Sequence, residues 1–153
     1  MKNRNNKKGF TLLEIIVVII ILGVLAGLAL PRLFSNIEFS RSAEALNSIS
    51  VVRQSIERCG LMRGSYATCN SFANLDAADP GGEAGTHFVY TIVGVTDNSN
   101  ANGQVVSGNY TITATRNALD NGDNLSAVSL AVDASATPGT ITRTGSGAYA
   151  SIQ

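Results

Sequence analysis

The sequence predicts an α+β fold, a long N-terminal α-helix whose second half packs on a small antiparallel β-sheet. Three observations predict it. An apolar run fills residues 10–30, an amphipathic helical pattern follows over 32–59, and four β-rich segments separated by turn clusters occupy 88–144. With 153 residues the chain has room for one modest domain, not two.

Residues 1–9, MKNRNNKKG, form a short basic tip. It carries Lys2, Arg4, Lys7 and Lys8 and no acid, although the formal charge of the whole chain is zero. Beyond Gly9, seven arginines face eleven acids, a net of about −4. A basic tip on a mildly acidic body reads as membrane orientation before it reads as nucleic-acid binding. From Ile15 to Leu30 no residue is polar, and extending back to Phe10 adds only Thr11 and Glu14. As a helix this stretch spans about 31 Å, the thickness of a bilayer's hydrocarbon core. The tip is expected to stay cytoplasmic, with everything after Pro31 outside the inner membrane.

Past Pro31, Leu33, Ile37, Leu46, Ile49, Val52 and Ile56 recur at mostly helical intervals. Arg41 with Glu44, and Arg53 with Glu57, have the spacing of stabilising ion pairs on a helix. The helix is expected to end near Cys59, with Gly60 as its C′ residue. Together the two helical stretches make a rod of about 75 Å. Pro31 should kink it, because it removes a ladder hydrogen bond and clashes one turn back. Residues 65–87 read as loop, with Asp79, Pro80, Gly81 and Gly82 the strongest turn signal. Strands are expected at 88–95, 110–115, 127–132 and 140–144, with turns at 97–103, 117–124 and 134–139. Connections this short favour an antiparallel meander, one face of which covers the amphipathic helix.

Glu14 is the most informative residue. A carboxylate inside an apolar membrane helix costs about 2.5–3.5 kcal/mol on insertion scales. Cleavage after Gly9 would give Phe10 a free α-amino group four residues away, which Glu14 could neutralise on its own chain or a neighbour's. Gly9 has no side chain to hinder a peptidase. Gly23 and Gly27 form a G-x-x-x-G pair that lets a second helix approach closely. Two other readings of the segment are an ordinary secretory signal, with Gly27 and Ala29 before the cut, and a permanent anchor. The length of the run and Glu14 within it oppose the first. The sequence Lys8, Gly9, Phe10, followed by Glu14, opposes the second.

The run KKGFTLLEIIVVIIILGVLAGLALPRL resembles the class III signal sequence of type IV pilins and type II secretion pseudopilins. The resemblance is specific over residues 7 to about 33. It implies a type IV pilin-like fold, with a prepilin peptidase that cuts after Gly9 and N-methylates Phe10. It also implies an assembly role for Glu14 and a bend or melted turn at Pro31 in the filament. The expected partners are further copies of the chain in a helical filament, the prepilin peptidase and an inner-membrane assembly platform. The precursor would sit in the inner membrane, and the assembled subunit in an extracellular pilus or a periplasmic pseudopilus. A type IV pilus subunit is the first reading, and the major pseudopilin of a type II secretion system the alternative. A minor pilin acting as adhesin or DNA-uptake subunit is disfavoured by the acidic body.

Cys59 and Cys69 are an even pair in an extracytoplasmic body and read as a disulfide, with free buried thiols the alternative. Pilin-family disulfides often lie nearer the C-terminus. Two cysteines and one distant histidine make a poor metal site. Asp120 and Asp123 could offer oxygens to Ca²⁺, but their spacing does not fit an EF-hand and reads more simply as a turn. His87 has no evident partner and reads as a surface or strand-edge residue. No nucleophile–base pair or carboxylate pair points to catalysis, and no cofactor is expected.

Overall fold

The computed structural model describes residues 10–135 and 139–152, except for the side chains of residues 31, 32, 34 and 35. The chain divides into two compact units, Met1–Ile37 and Glu38–Gln153. Helix α1 covers Leu12–Arg63 and supplies all the regular structure described in the first unit. In the second unit its remainder is followed by a loop with single 3₁₀ turns at Phe72–Asn74 and Pro80–Gly82. Four strands come next: β1 Phe88–Ser99, β2 Val105–Arg116, β3 Ala127–Asp133 and β4 Thr140–Gly145. They pair antiparallel in the order β1-β2-β3-β4, the meander expected of such short connections.

Alternation explains which face of the sheet is buried. Successive strand residues point to opposite sides, and on β2 Gly108, Tyr110, Ile112, Ala114 and Arg116 all face inward. Phe88 and Tyr90 of β1 and Val128 and Leu130 of β3 extend that face. Against it α1 sets Ala45, Ile49, Val52, Ile56 and Cys59, one turn apart along a single stripe. Burying a Val or Ile side chain contributes about 1.5–3 kcal/mol, so Ile49, Val52 and Ile56, all fully buried, anchor helix to sheet. Leu33 and Ile37, expected on the same stripe, are exposed and belong to the first unit. Small residues that the apolar pattern did not include, Ser42, Ala45 and Ser55, let the helix approach the sheet closely.

The helix ends one turn later than its sequence suggests. It runs through Gly60 to Arg63, and Gly64, at φ +67°, takes the left-handed C′ position. Gly60 has another task. A side chain there, or at Gly108 on β2, would collide with the ring of Tyr66, which lies against both glycines. The β1–β2 hairpin is also longer than expected, and its turn closes at Asn100–Gln104 with Gly103 at φ +75°. Between β2 and β3 the expected turn contains Asp120, Asn121 and Asn124 at positive φ, the conformation that Asp and Asn tolerate best after glycine.

Neither expected helical ion pair forms. Arg41 pairs with Glu38 and, at 3.1 Å, with Asp120 rather than with Glu44. Glu57 turns away from Arg53 to accept the Tyr66 and Tyr110 hydroxyls. Charge-assisted hydrogen bonds from partly buried phenols outweigh an exposed pair worth only a few tenths of a kcal/mol.

Candidate functional site

The N-terminal segment presents its chemistry openly. Leu12–Leu30 has a mean hydropathy of 3.0, and no part of it is buried. Phe10 is 80% exposed, and Leu13 and Leu28 are nearly as bare. A nineteen-residue apolar surface left uncovered in one chain needs lipid or other helices around it. Gly23 and Gly27 leave open space where a side chain would stand, so the face they share can receive a neighbouring helix closely. Pro31 lies within the helical assignment of α1.

Thr11 starts the helix. Its hydroxyl accepts the backbone N–H of Glu14 at 3.2 Å, the Thr half of a capping box whose fourth member is Glu14. The T-x-x-E spacing was present in the sequence as a helix-start signal beside the more conspicuous cleavage pattern. The Glu14 side chain is exposed, and among the described residues nothing pairs with it. Capping by the Thr11 hydroxyl uses only the backbone of Glu14, so its carboxylate is available to a cation from outside the chain. Gly9 lies outside the described residues.

In the second unit Cys59 and Cys69 are joined, with Cα atoms 6.1 Å apart, and free thiols are thereby excluded. The bridge ties the last turns of α1 to the loop behind it, and side chains reinforce the tie. The Asp97 carboxylate on β1 accepts the Ser65 hydroxyl at 2.8 Å and the backbone N–H groups of Tyr66 and Ala67. The Ser65 hydrogen bond is the main reason its acidity lies below the ordinary carboxylate value. Asp76 is gripped by Arg58 at 2.7 Å and by the Ser55 hydroxyl, which hold its pKa at about 2.

A second polar cluster ties the helix to the loop between β2 and β3. The Tyr149 hydroxyl donates to Glu38 at 2.7 Å. Partial burial pushes Glu38 up, but Tyr149, Arg41 and the charge of Arg116 outweigh it and leave Glu38 below its usual value. Arg116 is buried, donates to the His87 carbonyl at 3.1 Å, and lies 3.5 Å from Glu38. Strand alternation already pointed Arg116 inward, a signal legible in the sequence. His87 is a bridge rather than a free surface residue. Its Nε2 lies 2.9 Å from Asp120, and its Nδ1 3.8 Å from Glu44. Asp120 is thus taken by Arg41 and His87, while Asp123 accepts Ser126 and Leu125 within its own turn and is held at about pKa 2. These carboxylates serve the fold with the donors present. Among the described residues no three His, Cys, Asp or Glu side chains gather as metal ligands would.

Comparison with known proteins adds to this geometry. Residues 4–30 match the family model described as the prokaryotic N-terminal methylation motif. The chain is 39% identical over 70 residues to the type II secretion system core protein G of Escherichia coli K12, covering 46% of this chain and 48% of that protein. With core protein G of Aeromonas hydrophila the identity is 37% over 74 residues, covering 48% and 50%. The chain thus spans about half the length of these core protein G relatives. It is 31% identical over 108 residues to the type IV major fimbrial protein FimA of Dichelobacter nodosus, covering 60% of this chain and 68% of that one. No solved structure matches. A likeness of 108 residues cannot be contained in the 52 residues of α1 and must include the domain the helix carries. On that extended likeness the chain belongs to the type IV pilin and pseudopilin family.

Proposed function

We propose that this chain is a structural subunit of a type IV pilin-like filament, made as a membrane-anchored precursor and cut between Gly9 and Phe10. The observation that carries the reading is the wholly exposed apolar helix with an unpaired Glu14 two residues into it. In the membrane, lipid covers the apolar surface and Glu14 is a burden. In a filament, neighbouring helices cover that surface, and the free amine of a cleaved Phe10 supplies the missing cation. The same pairing sets the axial register of one helix against the next.

Of the two filament types, the pseudopilus of a type II secretion system comes first, because relatives named core protein G reach the higher identity. This reverses the order drawn from the residues alone. A type IV pilus is the second reading, supported by the fimbrial relative, whose likeness covers the larger share of its chain. Mass spectrometry of the protein from its native host tests the common part. A mature chain beginning with N-methyl-Phe10 is expected, and one beginning at Met1 or Leu30 would refute it. Deleting the gene then separates the filament types. Loss of exported proteins with surface filaments intact indicates the pseudopilus, and loss of shearable surface filaments indicates the pilus.

A further inference from the structure

Two grooves of opposite charge flank the same stretch of α1 in the second unit. One, of about 530 Å³, lies on the helix-facing side of the sheet at its β4 edge. Leu130 and Ile141 form its floor, Ser50 and Gln54 belong to its helical wall, and Arg53 and Arg143 bring positive charge. Arg143 pairs across the strands with Leu130, and Ile141 with Val132, so both face the helix side. Neither arginine makes a hydrogen bond or ion pair among the described residues. Arg53 is left alone because the tyrosine hydroxyls hold Glu57. Strand β4 is an edge strand, and Ile141 on it is half exposed.

The other groove, of about 340 Å³, lies between α1 and the turn that leads into β1, at the opposite edge of the sheet. Its lining includes Glu44, Asp79 and Glu83, with exposed Val51 beside them. On a helix of 3.6 residues per turn, Glu44, Asn47 and Val51 lie roughly 120° to one side of the core stripe, and Ser50, Arg53 and Gln54 roughly 120° to the other. The carboxylates of one groove and the guanidinium groups of the other therefore cannot meet within one chain.

We infer that the groove with Arg53 and Arg143 receives the flank with Glu44, Asp79 and Glu83 of a second copy of this chain. Charge complementarity selects the occupant. Two arginines without partners match carboxylates that stand at the far edge of the same domain, and each groove adds an exposed aliphatic side chain to the contact. Because the two surfaces differ, the contact is head-to-tail and each copy keeps one groove of each kind free. Contacts of that kind propagate into a helical array rather than closing as a dimer. The inference rests on the filament reading and adds to it a lateral contact between domains, separate from the packing of the apolar helices.

The test uses the full chain in its native host. With all charges intact, the photo-crosslinker p-benzoylphenylalanine replaces Gln54, an exposed residue of the arginine groove. Mass spectrometry of irradiated filaments should join position 54 to residues 76–86 of a second copy. A crosslink to another region of the subunit, or to a different protein, overturns the inference and leaves the filament reading standing. In a parallel arm, Arg53→Glu with Arg143→Glu should lower recovered filaments about tenfold or more, because like charges then face each other. Adding Asp79→Arg and Glu83→Arg should restore them. Undiminished filaments in the first variant overturn the inference, as does failed rescue when the processed, disulfide-bonded subunit is still present. If the charge variants do not accumulate, the crosslink alone decides. Absence of both filaments and N-methyl-Phe10 from wild-type cells would instead refute the filament reading itself.

Discussion

Glu14 shows how much one residue can determine when its surroundings are uniform. Every neighbour from Leu12 to Leu30 is apolar or glycine, so the carboxylate is the single group on this helix able to recognise a charge. Thr11 caps the helix through the Glu14 backbone, so helix initiation does not need the carboxylate. Glu14→Ala is therefore expected to leave membrane insertion and cleavage intact while filaments disappear. Fractionation of cells, N-terminal mass spectrometry and electron microscopy of sheared material report the three steps separately. Normal filaments in the variant would show that register is set elsewhere. Other residues take their roles from partners that local sequence does not reveal. Arg116 looks like a strand-end arginine, yet it lies buried between the His87 carbonyl and Glu38. His87, without a partner in its own neighbourhood, sits between Asp120 and Glu44.

Among the elements, the junction between α1 and the loop after it depends most on a single covalent bond. Cys69 is fully buried and Cys59 nearly so. Hydrogen bonds from residues 65–67 to Asp97 hold the far side of the same loop against β1. Replacing Cys59 and Cys69 together by Ser is expected to destabilise the protein by about 2–3 kcal/mol, the chain-entropy value for so short a loop. Denaturant unfolding of the detergent-solubilised chain measures that loss. Hydrogen exchange should accelerate most over residues 60–75, where the bridge is the principal restraint, and least in the paired centre of β2. Uniform acceleration along the whole chain would mean that the bridge supports the core itself rather than its margin. The strands behave differently, since three neighbouring pairings support one another and no single residue carries the sheet.

For the whole molecule, the ionisable groups define a pH range of stability. The four tyrosines, Tyr66, Tyr90, Tyr110 and Tyr149, are all buried. Burial first, and the hydrogen bond to Glu57 second, raise Tyr66 to about 12, and burial raises Tyr110 and Tyr149 as well. A raised folded-state value favours the neutral phenol. The resulting stability is complete below the ordinary tyrosine value of about 10 and is lost as pH rises through about 12. On the acid side, Asp76 and Asp123 are lowered to about 2. Their contribution is present above the ordinary carboxylate value of about 4 and is lost as pH falls towards about 2. Tyrosinate absorbance of the full chain in detergent should stay flat through pH 10 and rise together with unfolding near 12. Thermal melts should show a plateau between about pH 5 and 9 that falls away at both ends. Phenolate appearing at pH 10 in the folded protein would contradict the buried tyrosine–glutamate contacts.

The sequence by itself determined the features that act through composition and near neighbours. The apolar run, the Gly9–Phe10 junction, the isolated Glu14, the meander order and the inward face of β2 are all readable within a turn or a few alternating residues. Periodicities of 3.6 and 2 carry that information locally. Tertiary structure decided which polar groups meet. Glu57 abandons Arg53 for Tyr110, which is 53 residues away in sequence. Gly60 serves the Tyr66 ring rather than ending the helix, and Arg53 and Arg143 come to flank one groove. Such choices follow from which distant side chain reaches a site first and how far each is desolvated there, and spacing along the chain encodes neither.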